Sequence, residues 1–305
     1  MTGAVPQSLA GRVAAITGAG KGLGRAYALD FARRGAKIIV NNRRRDRDAP
    51  SSAEAVASEI VAAGGEAIAN TDSVEQDGVG ERLLALALER FGRLDILVNN
   101  AGVPEAKSLH KQTAAEFRAV FEVNFFGTLN VTLPIYRHMR EQRYGRIIVS
   151  TSSAGLHGNH GMAAYAASKA ALIGLARTIA TEGISHGIRC NALAPYAATA
   201  MTDAYLDAAM KRRMDPRFVA PVAAWLASQG CTANGEIFVA GAGKVRRAAA
   251  MEARGIIVEE AAELTPELLV AHDEALRDLT GAIEFSHANA AFEQFLASND
   301  ATRIG

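Results

Sequence analysis

Val13-Ala14-Ala15-Ile16-Thr17-Gly18-Ala19-Gly20-Lys21-Gly22-Leu23-Gly24 is the stretch on which the fold turns. Its first four residues read as a short buried strand, its glycines as a tight turn, and a helical spacing over about 23–34 starts at once. Strand, glycine turn and helix in that order form a phosphate cradle. The glycines, with no side chain, let backbone N–H groups approach a pyrophosphate, and the helix N-terminus adds partial positive charge. The spacing is Gly18-x-x-x-Gly22-x-Gly24, which departs from the G-x-G-x-x-G dinucleotide pattern. A P-loop is excluded, because Gly20-Lys21 is followed by Gly22 where a P-loop carries Ser or Thr.

Outward from this stretch, short apolar runs alternate with amphipathic segments up to about residue 241. The runs are Val13–Ile16, Lys37–Val40, Glu66–Ala69, Leu94–Val98, Arg146–Val149, Ile188–Ala192 and Ile237–Val239. Several are continuously apolar, as strands covered on both faces of a parallel sheet must be. Helical patterns fall near 52–63, 75–90, 114–141, 163–185 and 217–228, and Ser51-Ser52-Ala53-Glu54 has the form of a capping box. This order predicts an α/β fold: a doubly wound Rossmann-type parallel sheet of about seven strands, helices on both faces, ligands at the carboxyl ends of the strands.

Residues 1–243 are expected to form that domain. After Gly241-Ala242-Gly243 come the basic residues Lys244, Arg246 and Arg247, then Thr265-Pro266-Glu267, an N-cap with proline at the first helical position. Helices near 265–278 and 287–297 make residues 244–305 a helical extension. Too small for an independent core, it is expected to pack on the main domain or on a second subunit.

The chain has 305 residues, 49% hydrophobic and 21% charged, with a net charge of +1. That balance describes a soluble globular protein and gives no reason to expect a nucleic-acid partner. Cys190 and Cys231 are too few for a disulfide framework, and the spacings C-x-x-C and H-E-x-x-H are absent, so no metal is expected. A reducing cytoplasm fits this cysteine usage. Met1-Thr2-Gly3-Ala4-Val5-Pro6 does not read as a signal peptide, Arg303-Ile304-Gly305 is no peroxisomal tripeptide, and no membrane span is expected.

Tyr165-Ala166-Ala167-Ser168-Lys169 supplies the chemistry. Tyrosine and lysine four residues apart share one helix face, so an ammonium lies near a phenol and favours its ionised form. A free tyrosine has a pKa of about 10, so such help matters near neutral pH. About twenty residues beyond the glycines, the second strand ends Val40-Asn41-Asn42-Arg43-Arg44-Arg45, with no carboxylate before Asp46. An acid there would bind a ribose 2′-hydroxyl and repel a 2′-phosphate. Arg43, helped by Lys21, suits the phosphate, so NADP(H) is favoured over NAD(H), unless the arginines simply form a solvated loop.

These motifs resemble the classical short-chain dehydrogenases/reductases over about residues 9–243. Thr17 to Gly24 matches T-G-x-x-x-G-x-G, Asp72 stands where an adenine-binding acid follows the third strand, and Asn99-Asn100-Ala101-Gly102 matches N-N-A-G. Asn124, in Val123-Asn124-Phe125-Phe126-Gly127, matches the helix asparagine, and Ser152 precedes Tyr165 at the family's spacing. The resemblance implies a catalytic set of Asn124, Ser152, Tyr165 and Lys169. It implies a cofactor set of Gly18, Gly20, Lys21, Gly22, Leu23, Gly24, Asn42, Arg43, Asp72, Ser73, Asn100, Ala101, Gly102, Pro195 and Thr199, joined by Tyr165 and Lys169. Tyr165 would exchange a proton with the substrate oxygen, Lys169 would hold the nicotinamide ribose and lower the tyrosine's pKa, Ser152 would bind the carbonyl or alcohol oxygen, and Asn124 would hold a relay water.

Gly11-Arg12-Val13, Asn70-Thr71-Asp72-Ser73-Val74-Glu75 and Tyr144-Gly145-Arg146-Ile147-Ile148 are similar to the (3R)-hydroxyacyl-CoA dehydrogenase group of that family, which implies a 3-hydroxyacyl-CoA or steroid-like substrate. Three departures stand out: Asn42 replaces that group's aspartate, the hydratase and sterol-carrier domains found with that group are missing, so a stand-alone enzyme is expected, and Tyr196 follows Pro195 where glycine is usual. Leu156, His157, Asn159, His160 and Met162 lie between Ser152 and Tyr165 and are expected to border the substrate. Lys211, Arg212, Arg213 and Arg217 suit either coenzyme A phosphates or a solvated helix face. The alternatives are an NADPH-dependent carbonyl or 3-oxoacyl reductase and, from another class, a non-catalytic dinucleotide sensor. The complete Asn-Ser-Tyr-Lys set argues against the sensor. The family pairs through its long helices, so a homodimer or tetramer is expected.

Overall fold

The structure is a computed structural model that describes residues 8–44, 51–199, 206–260, 263–297 and 301–304. The basic run's Arg45 and Asp46, the N-terminal Met1 to Pro6 and the terminal Gly305 lie outside the described residues. The chain divides into two compact units, 1–247 and 248–305.

The first unit is built on eight strands in the order β3-β2-β1-β4-β5-β6-β7-β8. They are β1 (Val13–Ile16), β2 (Lys37–Asn41), β3 (Ala67–Asn70), β4 (Ile96–Asn99), β5 (Gly145–Ser150), β6 (Ile188–Pro195), β7 (Ile237–Gly241) and β8 (Lys244–Ala248). β1 to β7 are parallel, with Ile16 beside both Val40 and Val98, and Ser150 beside Leu193. Because β1 lies between β2 and β4, the connections leave it in opposite directions, and a crevice opens at the carboxyl ends there. One strand exceeds the expected seven. Ala242 and Gly243 both have positive φ, 51° and 74°, and a two-residue turn of that kind folds the chain straight back as a hairpin. The basic residues expected to open the extension therefore form the sheet's last strand.

Helices α1 (Gly22–Arg33), α2 (Ser52–Ala62) and α3 (Val79–Phe91) follow β1, β2 and β3. The expected capping box on α2 is complete: Ala53 N donates to Ser51 Oγ at 3.2 Å and Ser51 N to Glu54 at 3.3 Å. The long helix expected over 114–141 is instead α4 (Ala114–Phe121), a π-turn over Glu122–Phe126, and α5 (Gly127–Gln142). In the wide turn Gly127 N–H reaches back to the Glu122 carbonyl, while the Thr128 hydroxyl donates to the Asn124 carbonyl at 2.9 Å. Next come α6 (Ser153–His157), α7 (Ala163–Gly183), α8 (Ala208–Arg213) and α9 (Ala220–Ala227). The core fills both faces of the sheet, with Ile16, Ile38, Ile96, Tyr27 and Phe31 wholly buried.

At the amino ends of the strands Asp95 is fully buried and accepts from Arg12 at 3.0 Å, Arg93 at 2.6 Å and Val13 N at 3.0 Å. The Tyr144 ring lies between the Arg12 and Arg146 guanidiniums, 4.0 and 4.6 Å from its centroid. Arg146 also donates to the carbonyls of Gly145, Gly187 and Ser228.

The second unit holds a parallel pair, β9 (Ile256–Val258) with β10 (Thr302–Ile304), and helices α10 (Pro266–Ala271), α11 (Asp273–Arg277) and α12 (Ala288–Ala297). Thr265 caps α10 through Leu268 N at 3.2 Å, as its sequence predicts. None of its described residues is buried. Among the described residues of the whole chain no helix is long and apolar enough to cross a membrane, and both cysteines are buried free thiols.

Candidate active site

Three glycines of the turn after β1, Gly18, Gly20 and Gly24, have no room for a side chain. A Cβ on Gly20 would come 2.3 Å from Ser52 Oγ, and one on Gly24 would come 2.3 Å from the Gly18 carbonyl. Gly18 has φ +63° and Gly22 φ +56°, values that favour glycine. Asn100 locks the turn from β4 by donating its amide to the carbonyls of Thr17 at 3.0 Å and Gly18 at 3.3 Å. The Thr17 hydroxyl accepts from the N–H groups of Asn100 and Ala101, both at 3.0 Å. Lys21 is exposed at the head of α1, Leu23 packs against the core, and the Thr199 methyl lies 3.5 Å from where a Gly22 Cβ would stand. Thr199, just past Pro195 at the end of β6, therefore reaches the turn, while the Tyr196 side chain is exposed.

Beside this turn, Asn42 Nδ2 donates to Ser52 Oγ at 2.8 Å at the start of α2. Ser52 was not anticipated, although its place in the capping-box sequence put it at that helix N-terminus. Arg43 pairs with Glu75 at 3.2 Å and Arg44 with Glu54 at 2.7 Å. Ser73 also donates to Glu75, at 2.9 Å. Burial pushes the Asp72 carboxyl up, but hydrogen bonds from Arg82 and Asn70 outweigh it and leave it below the ordinary carboxylate value.

Ser152 ends the strand-to-helix turn after β5 as the N-cap of α6, where its hydroxyl accepts from Ala154 N at 3.1 Å. The Tyr165 phenol, half-buried on α7, is raised above its ordinary value of 10.0 by burial, and the Ser152 hydroxyl works the other way. Lys169 is buried on the same face of α7, its Nζ 5.8 Å from the Tyr165 ring centroid and donating to the Ser150 carbonyl at 2.8 Å. Burial lowers the ammonium to about 8. The tyrosine is thus raised by burial, where the sequence had it lowered by the lysine; the opposing influence comes from Ser152. α6 sits so close to α7 that a Cβ on Gly155 would meet Lys169 backbone at 2.8 Å.

Asn124, fully buried in the π-turn, completes the group. Its Oδ1 accepts from Val103 N at 2.8 Å, and its Nδ2 donates to the Val103 carbonyl at 3.2 Å and to Ser168 Oγ at 3.1 Å. A Cβ on Gly102 would stand 3.1 Å from Asn124 Oδ1 and 3.4 Å from Lys169 Nζ, so Ala101-Gly102 brings the cradle and these two polar groups together.

The predicted substrate residues run from the end of α6 to the start of α7: Leu156 and Met162 are half-buried, while His157, Asn159 and His160 are exposed. Met162 bridges Lys107, whose N–H donates to the Gly161 carbonyl at 2.7 Å, so the segment after β4 is a second wall that the sequence did not reveal. Arg217 is 80% exposed and bound to Asp215 at 2.8 Å, which fits the solvated-face reading.

A glycine cradle at the carboxyl ends of a doubly wound sheet, with tyrosine, lysine, serine and asparagine gathered beside it, defines a dinucleotide-linked oxidoreductase. Residues 12–210 match the short chain dehydrogenase family, and the chain belongs to it. It is 39% identical over 284 residues to mouse peroxisomal multifunctional enzyme type 2, a match that spans 92% of this chain and 38% of the relative. It is 42% identical over 242 residues to a short-chain type dehydrogenase/reductase of Mycobacterium tuberculosis, covering 78% of this chain and 85% of that one. Among solved structures, full-length peroxisomal multifunctional enzyme type 2 of Drosophila melanogaster superposes with a TM-score of 0.79 at 33% identity, over 94% of this chain and 49% of that chain. The chain thus spans less than half the length of both multifunctional relatives.

Proposed function

We propose that the chain interconverts a secondary alcohol and a ketone with NADP(H), and that Tyr165 is the proton donor and acceptor. The observation that carries this reading is the half-buried Tyr165 phenol, influenced by the Ser152 hydroxyl and with the Lys169 ammonium 5.8 Å from the centre of its ring. A nicotinamide dinucleotide fits the residues present, because Gly18 and Gly22 at positive φ and the close packing of Gly18, Gly20 and Gly24 on their neighbours leave a turn of bare backbone at the head of α1. Gly18 to Gly24 would hold its pyrophosphate, Asp72 and Ser73 its adenine, Asn100 to Gly102 and Lys169 its nicotinamide ribose, and Pro195 and Thr199 its carboxamide side. When bound, the nicotinamide gives or takes a hydride at the substrate carbon. Ser152 holds the substrate oxygen, and Tyr165, protonated at neutral pH, gives that oxygen its proton in reduction. In oxidation the phenol must first lose its proton, so the oxidative rate climbs with pH while the reductive rate holds near neutrality.

NADP(H) is supported by Asn42, a neutral amide turned toward Ser52, and by Arg43 and Lys21 beside it. NAD(H) stays open to the same cradle. The resemblance to hydroxyacyl-CoA dehydrogenases favours a 3-hydroxyacyl-CoA or steroid-like substrate, and the neutral end of β2 favours, as a second reading, an NADPH-dependent carbonyl or 3-oxoacyl reductase. Assembly as a homodimer or tetramer through α5 and α7 is supported by Leu133 on α5, by Phe126 just before it, each 43% exposed, and by Ile184 just past α7, 50% exposed. A cytoplasmic location is supported by the free thiols, though two of the relatives above are named peroxisomal.

A panel of alcohols, ketones and acyl-CoA esters, followed by nicotinamide absorbance, tests the reading. Tyr165→Phe should fold, bind cofactor and lose about a thousandfold or more in kcat, worth about 4 kcal/mol. Retained turnover would refute the assignment. The kcat/KM ratio for NADP(H) over NAD(H) should exceed about tenfold and should fall in Asn42→Asp, whose carboxylate repels a 2′-phosphate.

A further inference from the structure

We propose that Ser168 is a positioning residue: its hydroxyl tethers the Asn124 amide to the helix that carries Tyr165 and Lys169, and so sets the polar gap in front of Gly102. This rests on the reading of the site given above.

The geometry fixes the direction of every bond. Ser168 Oγ donates to the Tyr165 carbonyl at 2.8 Å, so its lone pair is what receives Asn124 Nδ2 at 3.1 Å. Val103 N can only donate, so the end of the amide facing it at 2.8 Å is the oxygen. Both amide N–H groups then have acceptors, one on the Val103 carbonyl and one on Ser168. Ser168 and Asn124 are both fully buried, so water cannot replace the serine hydroxyl without a cavity.

The tether joins three pieces of chain: the turn after β4, the π-turn and the second turn of α7. An α-helix through Glu122–Phe126 would rotate Asn124 away. The π-turn instead leaves its carbonyl to the Thr128 hydroxyl and its side chain to Ser168. Gly102 is the hinge of the argument. Asn124 Oδ1 and Lys169 Nζ stand 3.1 and 3.4 Å from the place its missing Cβ would occupy, so a small hydroxyl or water between them would touch both. The lysine is fixed from behind by Ser150, and the asparagine is fixed from behind by Ser168. Removal of either support widens the gap across which the two groups share a proton carrier.

The experiment has one arm that requires no turnover. In the full chain, solvent exchange of the Asn124 side-chain amide protons, followed by NMR, should be at least about tenfold faster in Ser168→Ala than in wild type, and near wild type in Ser168→Thr, which keeps the hydroxyl. Unchanged exchange in Ser168→Ala overturns the tether, whatever the activity. The kinetic arm uses Asn124→Ala as reference. Ser168→Ala should lower kcat about tenfold with cofactor KM within about twofold, raise the solvent deuterium isotope effect on kcat, and add nothing to Asn124→Ala in the double variant. Additive losses, or a loss of kcat with an unchanged isotope effect, would assign Ser168 a packing role only. If wild type turns nothing over, or Tyr165→Phe stays active, the reading of the site fails while the amide exchange still decides the tether.

Discussion

The two ends of one parallel sheet are built on opposite principles. At the amino ends Asp95 is surrounded by Arg12, Arg93 and a backbone N–H, and the Tyr144 ring is clasped between two guanidiniums. At the carboxyl ends, a turn of closely packed glycines leaves its backbone bare, and the buried Lys169 ammonium leans on a single carbonyl. A buried ion pair with all its partners resists disruption, whereas a buried charge without a counter-ion is tolerated only where something else uses it. The first end pairs its buried charge fully, and the second end leaves one without a counter-ion, as the proposed reading of the site requires.

The most damaging change to the structural end should be Asp95→Ala. It leaves two arginines and the Val13 N–H without their acceptor and should cost about 3–5 kcal/mol, read by urea denaturation. The turnover per folded molecule should be unaltered. Loss of activity in molecules that remain folded would break the division between the ends.

Lys169→Met should do the reverse and, by a smaller amount, stabilise the chain. Burial lowers this ammonium from 10.5 to about 8, so at pH 7 the folded protein carries a charge that the unfolded chain accommodates more easily. Below about pH 8 both states hold the proton and the penalty is complete; between about 8 and 10.5 only the unfolded state holds it, so stability rises with pH there. After loss of the bond to Ser150, Met should gain about 2 kcal/mol at pH 7 and flatten that rise, while activity disappears. A lower melting temperature in the variant would show that the lysine's packing outweighs its charge.

Tyr144→Phe should have the smallest effect. The phenol oxygen is buried without a hydrogen-bond partner, and the ring is what the arginines stack on. Removal of the hydroxyl should shift stability by less than about 1 kcal/mol, in the favourable direction. A larger loss would reveal a bound water as part of the clasp.

The strand-helix alternation, the glycine cradle and the spacing of Tyr165, Lys169 and Ser152 were legible because they depend on residues close in sequence. Asn124 was identified by its motif, but the π-turn that aims it was not, since a five-residue backbone bond leaves no mark in an apolar periodicity that runs unbroken from 114 to 141. Ser168 reads as one more small residue in an alanine-rich helix until its partner, 44 positions away, is known. Arg43 and Arg44 read as free cations, and only the fold shows Glu75 and Glu54 drawn up beside them. The hairpin to β8 was hidden because Ala242, at φ 51°, takes a conformation usually signalled by glycine or asparagine.

That last strand also decides where the sheet stops growing. Lys244, Val245, Arg246 and Arg247 are all exposed along β8, and Glu236 takes up the charge of Arg247 alone among the three cations. A bare edge of apolar residues would template a neighbouring chain, whereas repelling charges on two like edges keep them apart. The turn at Ala242-Gly243 thus places a charged eighth strand where the apolar seventh would otherwise have been the sheet's edge.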